Sequence, residues 1–468
     1  MCGRFYFTVA KPPCLKGETE RSEEGDCNCE ASTFPVEVKL LPFSTEAVIK
    51  LFIQIFTRNI MKRTFAFILA VVSALVLMCG CTAEKEKPAL ELIKNPTTFD
   101  EWMNNAKIKS LTNLGNTQRL KAAIEKAKSG EEVTIAYLGG SITEGDHKPT
   151  CYAERSYRNF VEAFAKKGEE QIKYVNAGIS GTPSKLGALR LEKDILSSNP
   201  DIVFIEYACN DGGEQDDFDA FESLILDCLE YESKPAVILL FARGDTGWSS
   251  QDWKKEIGFY HNISMISYAD GITYLLDNGA MQWSDFSNDY CHPHEEGNAI
   301  VAEFIMYFFD EVDRLPAQGD EAVDYAKEPK YDGFFRHAKM LEKTNYDPVD
   351  LGSWRKGSDG FHYADGWKKD YSDNNEPIVF EFTGRHAYMV YPQSGNDSFG
   401  TVIADVYFNG ELVATKEINE YQSGGWMAPI VFNLHRSPTE GDYRVEFRAK
   451  DGEARKDMQV LAVAYTVK

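Results

Sequence analysis

The chain has 468 residues, 43% hydrophobic and 26% charged, with a formal net charge of −23. This is globular composition with room for two or three domains. The acidic excess repels phosphate backbones and anionic lipid headgroups, which counts against nucleic acid as a partner and against docking on a membrane surface.

Residues 1–60 mix four cysteines, a charged run "KGETERSEEGD" and an apolar "VIKLFIQIF" without a period, and read as upstream translation rather than as part of the fold. Residues 61–81, "MKRTFAFILAVVSALVLMCGC", follow. Lys62 and Arg63 form a basic start, Phe65 to Met78 an apolar stretch too short for a comfortable span, and Gly80-Cys81 its end. This order resembles a bacterial lipoprotein signal (61–80), which implies Met61 as the start, Cys81 as the lipidated residue, and an exported protein anchored to membrane at the periplasmic or cell-surface side. Of ten cysteines only Cys151, Cys209, Cys228 and Cys291 lie beyond Cys81, with no CxxC spacing, so neither a zinc site nor a disulfide framework is expected.

Residues 81–109 read as a tether and lead-in, and residues 110–325 as an alternating α/β domain. Strands are expected at 131–139, 172–178, 200–208, 235–242 and 263–269, and helices at 154–168, 184–199 (capped by Ser184), 217–232, 250–261 and 295–312. The strands are continuous apolar runs such as "DIVFIEYA", which fits burial on both faces. The pattern predicts a three-layer α/β/α, flavodoxin-like, doubly wound, five-stranded parallel sheet, with its site at the carboxyl ends of the strands. From about residue 335 to 468 the strands run consecutively, at 377–384, 386–392, 402–418, 428–434, 442–449 and 459–467, with Asn409-Gly410 as a hairpin turn. This predicts a separate C-terminal antiparallel β-sandwich.

Four strand ends carry chemistry. "YLGGSITEG" (137–145) holds Ser141, "NAGISGTPS" (176–184) holds Gly181, "YACND" (207–211) holds Asn210, and "DYCHP" (289–293) holds Asp289 and His292. Each alone is ordinary turn chemistry. Together they supply a serine nucleophile, a histidine base, a carboxylate to orient it, and three oxyanion donors: the Ser141 and Gly181 N–H groups and the Asn210 amide. His294 is a rival base by proximity, and spacing to Asp289 favours His292. No metal ligand set stands out among the remaining histidines, and the chemistry needs no cofactor. Trp248 and Trp283 lie near strand ends where they wall an acyl pocket or pack a loop; Tyr388, Trp426 and Trp354 offer a glycan platform, with core packing the better reading.

In order and placement the four blocks resemble those of the SGNH hydrolases, the GDSL esterase superfamily, over roughly residues 110–315. The "DYCHP" block is the most specific. The chain departs in having Gly140 where many members have Asp, Ala208 where Gly is usual and His294 where Asn is common. The stretch leading into "GGSIT" resembles secreted bacterial esterases linked to polysaccharide degradation. The resemblance implies a serine esterase acting on short acyl esters, O-acetyl above all, of a polysaccharide or oligosaccharide. The rivals are a lipase or lysophospholipase and an inactive glycan-binding surface lipoprotein; the first lacks an apolar lid segment, and the intact Ser, Asn, Asp and His argue against the second.

Overall fold

The computed structural model of the chain describes residues 88–145, 150–359, 363 and 365–467, in one compact unit, Glu86–Lys468. The readings of residues 1–87, including the signal peptide and Cys81, lie outside the described residues. No helix among the described residues is long and apolar enough to cross a membrane.

The lead-in is ordered from helix α1 (Phe99–Ser110), which starts in a reciprocal cap: Glu101 N–H donates to Thr98 Oγ1, and the Glu101 carboxylate accepts from Thr98 N–H. The expected parallel strands are β2 (Val133–Gly139), β3 (Ile172–Gly178), β4 (Ile202–Glu206), β5 (Ala236–Phe241) and β6 (Ser264–Ser267). A sixth, β1 (Leu111–Asn113), pairs antiparallel with β6 at the edge, so the sheet order is β1-β6-β5-β4-β2-β3. Three residues without alternation are too few to read as a strand; pairing with β6 makes them one.

The helices that follow α1 in sequence are α2 (Gln118–Ser129), the one-turn α3 (Ser141–Glu144), α4 (Tyr152–Phe164), α5 (Ser184–Asp194), α6 (Gln215–Glu230), α7 (Gln251–Tyr260), α8 (Tyr268–Asp277), α9 (Glu295–Arg314) and the one-turn α10 (Glu321–Asp324). Two details correct the sequence reading. Ser184 is not a cap but the first helical residue of α5, after Pro183. The last strand stops at Ser267, whose side chain accepts the Asp270 N–H and starts the unforeseen α8. Between β2 and β4 the chain order reverses, because β3 lies on the far side of β2. This switch point opens a crevice at the carboxyl ends of β2 and β4, where Ser141 and Asn210 follow.

The C-terminal part has two antiparallel sheets. One, in the order β12-β11-β13-β10-β15-β7, comprises β7 (Ala338–Leu341), β10 (Ile378–Ser394), β11 (Thr401–Phe408), β12 (Glu411–Asn419), β13 (Trp426–Ala449) and β15 (Ala462–Thr466). The other holds β8 (Trp354–Lys356), β9 (Trp367–Lys369) and β14 (Gln459–Val460). The segments expected at 377–384 and 386–392 are halves of β10, joined through a bulge between Gly384 and His386. Those at 428–434 and 442–449 are halves of β13. Asn409 and Gly410 both have positive φ (52° and 83°) and close the β11–β12 hairpin, as the dipeptide predicts.

The sandwich is fused to the α/β domain rather than tethered to it. Tyr388, Val390, Leu461 and Ala464 belong to the same buried core as the helices of the α/β domain, while Trp354, Trp367, Phe380 and Phe447 fill the core between the sheets. The connecting segment is pinned by carboxylates of α6: Glu222 accepts the N–H groups of Lys330 and Tyr331 (both 2.8 Å), Asp219 that of Gly333 (2.8 Å) and Asp227 that of His337 (2.7 Å). Ion pairs Lys193–Glu342 and Arg436–Asp216, each 2.6 Å, cross the same boundary.

Candidate active site

Strand β2 ends in two glycines, and both are required by close approach. A Cβ on Gly139 would stand 2.1 Å from Thr143 Oγ1, and one on Gly140 2.4 Å from Asn210 Oδ1. Gly140 therefore lets the Asn210 amide lie directly beside the turn that carries Ser141. Ser141 opens α3, so its N–H is one of the unpartnered donors of a helix start.

The structure brings Ser141, His292 and Asp289 into one hydrogen-bonded row. His292 Nε2 is 2.7 Å from Ser141 Oγ, and His292 Nδ1 is 2.8 Å from Asp289 Oδ2. The other Asp289 oxygen accepts the N–H groups of Cys291 (2.8 Å) and His292 (2.7 Å). Partial burial pushes the Asp289 carboxyl up, but those two N–H groups and the imidazole outweigh it and hold it below the usual carboxylate range. Asp289 is thus ionised and placed to fix His292 with its proton on Nδ1, leaving Nε2 to accept from the serine. Ser287 Oγ donates to His292 O at 2.6 Å, and Trp283 Nε1 donates to Asp289 O at 2.6 Å, so Trp283 braces this loop.

His294 is otherwise occupied. It caps α9 by accepting the Gly297 N–H, and its Nε2 faces Ser284 O at 3.2 Å. Cys291 Sγ lies 3.7 Å from His292 Nδ1, but burial pushes the thiol up to about 11, which keeps it a protonated bystander. Asp289, Cys291 and His292 place ligand atoms within 4.8 Å of one another, the one such three-residue set among the described residues. A cation there would compete with Asp289 for His292 Nδ1 and so break the row rather than complete it.

Gly181 sits at φ +69° in the loop after β3. That loop is held to the serine turn by buried Glu144, which accepts both the N–H (2.9 Å) and the hydroxyl of Ser180. The backbone of Gly181 is covered from the sandwich. A Cβ on Gly181 would lie 2.2 Å from Trp426 Cζ2, so the indole packs directly on this backbone. Trp426 begins β13, is 46% exposed, and precedes Met427, a non-glycine residue at φ +70°. Such a conformation costs energy and persists only where surroundings impose it. Of the three sandwich aromatics singled out in the sequence, Trp426 alone is at the site; Tyr388 and Trp354 are buried in cores, and Tyr388 donates to Phe334 O. Trp248 is exposed. Sequence reasoning missed Glu144, because nothing in "SITEG" marks a carboxylate as buried.

Residues 137–300 match the family model described as GDSL-like Lipase/Acylhydrolase. No curated protein matches the chain. Among solved structures, the fold matches a two-domain esterase active on acetylated mannans, co-crystallized with mannopentaose, at 24% identity and a TM-score of 0.65, over 77% of this chain and 98% of that one. A second structure of a two-domain esterase active on acetylated mannans matches at 25% identity and a TM-score of 0.63, over 77% of this chain and 99% of that one.

Proposed function

We propose that this chain, whose α/β domain belongs to the GDSL-like lipase/acylhydrolase family, is an esterase that removes short acyl groups, O-acetyl above all, from a polysaccharide or oligosaccharide. The observation that carries the reading is the row Ser141–His292–Asp289, at 2.7 and 2.8 Å, with the Asn210 side chain against Gly140 and the Gly181 loop tied to the serine turn through Ser180 and Glu144. Ser141 Oγ attacks the ester carbonyl while His292 Nε2 takes its proton. The oxyanion forms among the Ser141 N–H, the Gly181 N–H and the Asn210 amide. His292 returns the proton to the departing sugar hydroxyl, then activates water to clear the acyl-serine. All steps balance on these side chains and water.

Two observations support a sugar as the alcohol. An exposed indole beside the oxyanion backbone offers an apolar face of the kind on which pyranose rings stack, and the two-domain esterases of like fold act on acetylated mannans. The lipoprotein-like stretch ending at Cys81 fits an exported, membrane-anchored enzyme that meets its polymer outside the cell.

The test is acetate release from acetylated mannan and xylan, and turnover of 4-nitrophenyl acetate, by wild type and variants. Ser141→Ala and His292→Ala should each lower kcat by several orders of magnitude, and the double variant should be hardly slower than either. Asn210→Ala, which removes one of three donors, should cost on the order of 10²–10³. A folded Ser141→Ala protein with near wild-type turnover would sink the esterase reading. Ester turnover without acetate release from any polysaccharide would sink the glycan reading alone.

A further inference from the structure

Behind the oxyanion loops lies an ion pair that the reaction scheme does not use. Lys254 Nζ and Asp211 Oδ2 are 2.9 Å apart, and both side chains are fully buried. A buried pair of this kind contributes little net stability against an apolar replacement, so its presence calls for another explanation. Its connections supply one. Asp211 directly follows Asn210, and its Oδ1 accepts the Ser184 N–H at 2.8 Å. Ser184 is the first residue of α5, three positions after Gly181, so one carboxylate spans both loops that carry oxyanion donors. Lys254 in turn donates to Ser250 Oγ (2.6 Å), and Ser250 Oγ and N–H both donate to Ala208 O (2.9 and 2.8 Å), two residues before Asn210. Its ammonium also lies 3.9 Å from the centre of the Trp253 ring, which fixes its position from the other side. At the rim, Lys185 of α5 pairs with Asp217 of α6 at 2.9 Å, a second and shallower tie across the same gap.

We propose that Lys254 and Asp211 are positioning residues that set the distance between the Gly181 N–H and the Asn210 amide, and through it the stabilisation of the oxyanion. The inference rests on the esterase reading. It predicts a specific kinetic signature. The donors act most strongly on charge that develops in the transition state, so loosening them lowers kcat and leaves KM nearly unchanged. With Asn210 truncated the Gly181–Asn210 spacing that the pair sets no longer exists and only the Ser141 and Gly181 N–H donors remain, so most of the effect of Lys254 should vanish.

The experiment measures kcat and KM on 4-nitrophenyl acetate for wild type, Lys254→Met, Asp211→Asn, Lys254→Met/Asp211→Asn, Asn210→Ala and Asn210→Ala/Lys254→Met, with melting temperatures alongside. Lys254→Met should lower kcat on the order of tenfold or more with KM within about twofold, and lower it less than about threefold further once Asn210 is Ala. The double neutral variant should recover part of the rate, because the amide oxygen that replaces the Asp211 carboxylate still accepts from Ser184 and no unpaired charge remains buried. If Lys254→Met does not fold, Asp211→Asn alone and with Asn210→Ala carries the same comparison. A folded variant with wild-type kcat, or one whose loss is unchanged in the Asn210→Ala background, overturns the positioning role and leaves the esterase reading standing. A wild-type protein without ester turnover overturns the esterase reading, and the inference with it.

Discussion

Glu206 shows how much a single buried group determines at this site. It ends β4 under the serine turn, is fully buried, accepts the Ala208 N–H at 3.1 Å, and is pushed up to about 7 by burial. Its ordinary value is 4.5. Between those values the native state keeps a proton that the unfolded chain has released, so stability falls as pH rises from 4.5 to about 7 and this contribution is flat above. Glu206→Gln keeps an acceptor for Ala208 and removes the titration. Melting temperatures measured from pH 4.5 to about 8 should therefore fall less steeply for the variant than for wild type; parallel profiles would show that Glu206 does not titrate in that window. The same burial logic separates Cys291 from Ser141: a thiol pushed up to about 11 stays protonated, whereas the serine has a base within hydrogen-bond reach.

At the scale of elements, the row Ser141–His292–Asp289 joins the carboxyl end of β2 to the loop before α9. In the "DYCHP" block Asp and His are three residues apart on one turn, where a carboxylate reaches both the backbone and the ring. That arrangement is local, and it was legible in the sequence. The start of β13 is different. Trp426 is carried onto Gly181 by strand pairing with Ser394 across a bulge and by the positive φ of Met427. Trp426→Ala should leave kcat on 4-nitrophenyl acetate within about threefold, because the reacting groups are untouched, and raise KM for an acetylated oligosaccharide by about five- to tenfold, the upper part of the scale of an aromatic contact. Equal effects on both substrates would mean that the indole shapes the oxyanion loop instead of holding sugar. Met427→Gly, which relieves the positive φ, should retain the oligosaccharide KM if Trp426 packing alone sets the turn.

Over the whole molecule, the sandwich and the α/β domain share apolar core and a row of carboxylate-to-backbone hydrogen bonds along α6. A chain ending at residue 325 would uncover that core face and leave Asp219, Glu222 and Asp227 without the backbone partners they now hold. The expected result is a protein that aggregates, or melts well below the full chain, in size-exclusion and thermal-unfolding measurements. A monomer with an unchanged melting temperature would show that the shared core adds nothing to the stability of the α/β domain.

The sequence by itself determined the order of layers, the parallel strands, the hairpin at Asn409-Gly410 and the identity of the groups after three strands and in the loop before α9, because these follow from apolar periodicity and from turn chemistry within a few residues; it placed that last loop directly after the fifth strand, where the structure inserts α8. It also contained both halves of β10 and β13, though not their continuity, since a bulge is decided by the partner strand. Only the tertiary structure decided the rest. The three-residue β1 exists by pairing, Ser184 is held by Asp211 from another loop, Lys254 is matched by a carboxylate from a different strand end, and an indole from the far sandwich covers Gly181. These contacts join segments distant in the chain, and neither propensity nor spacing encodes which distant surfaces meet; burial and close packing decide that once the sheets are formed.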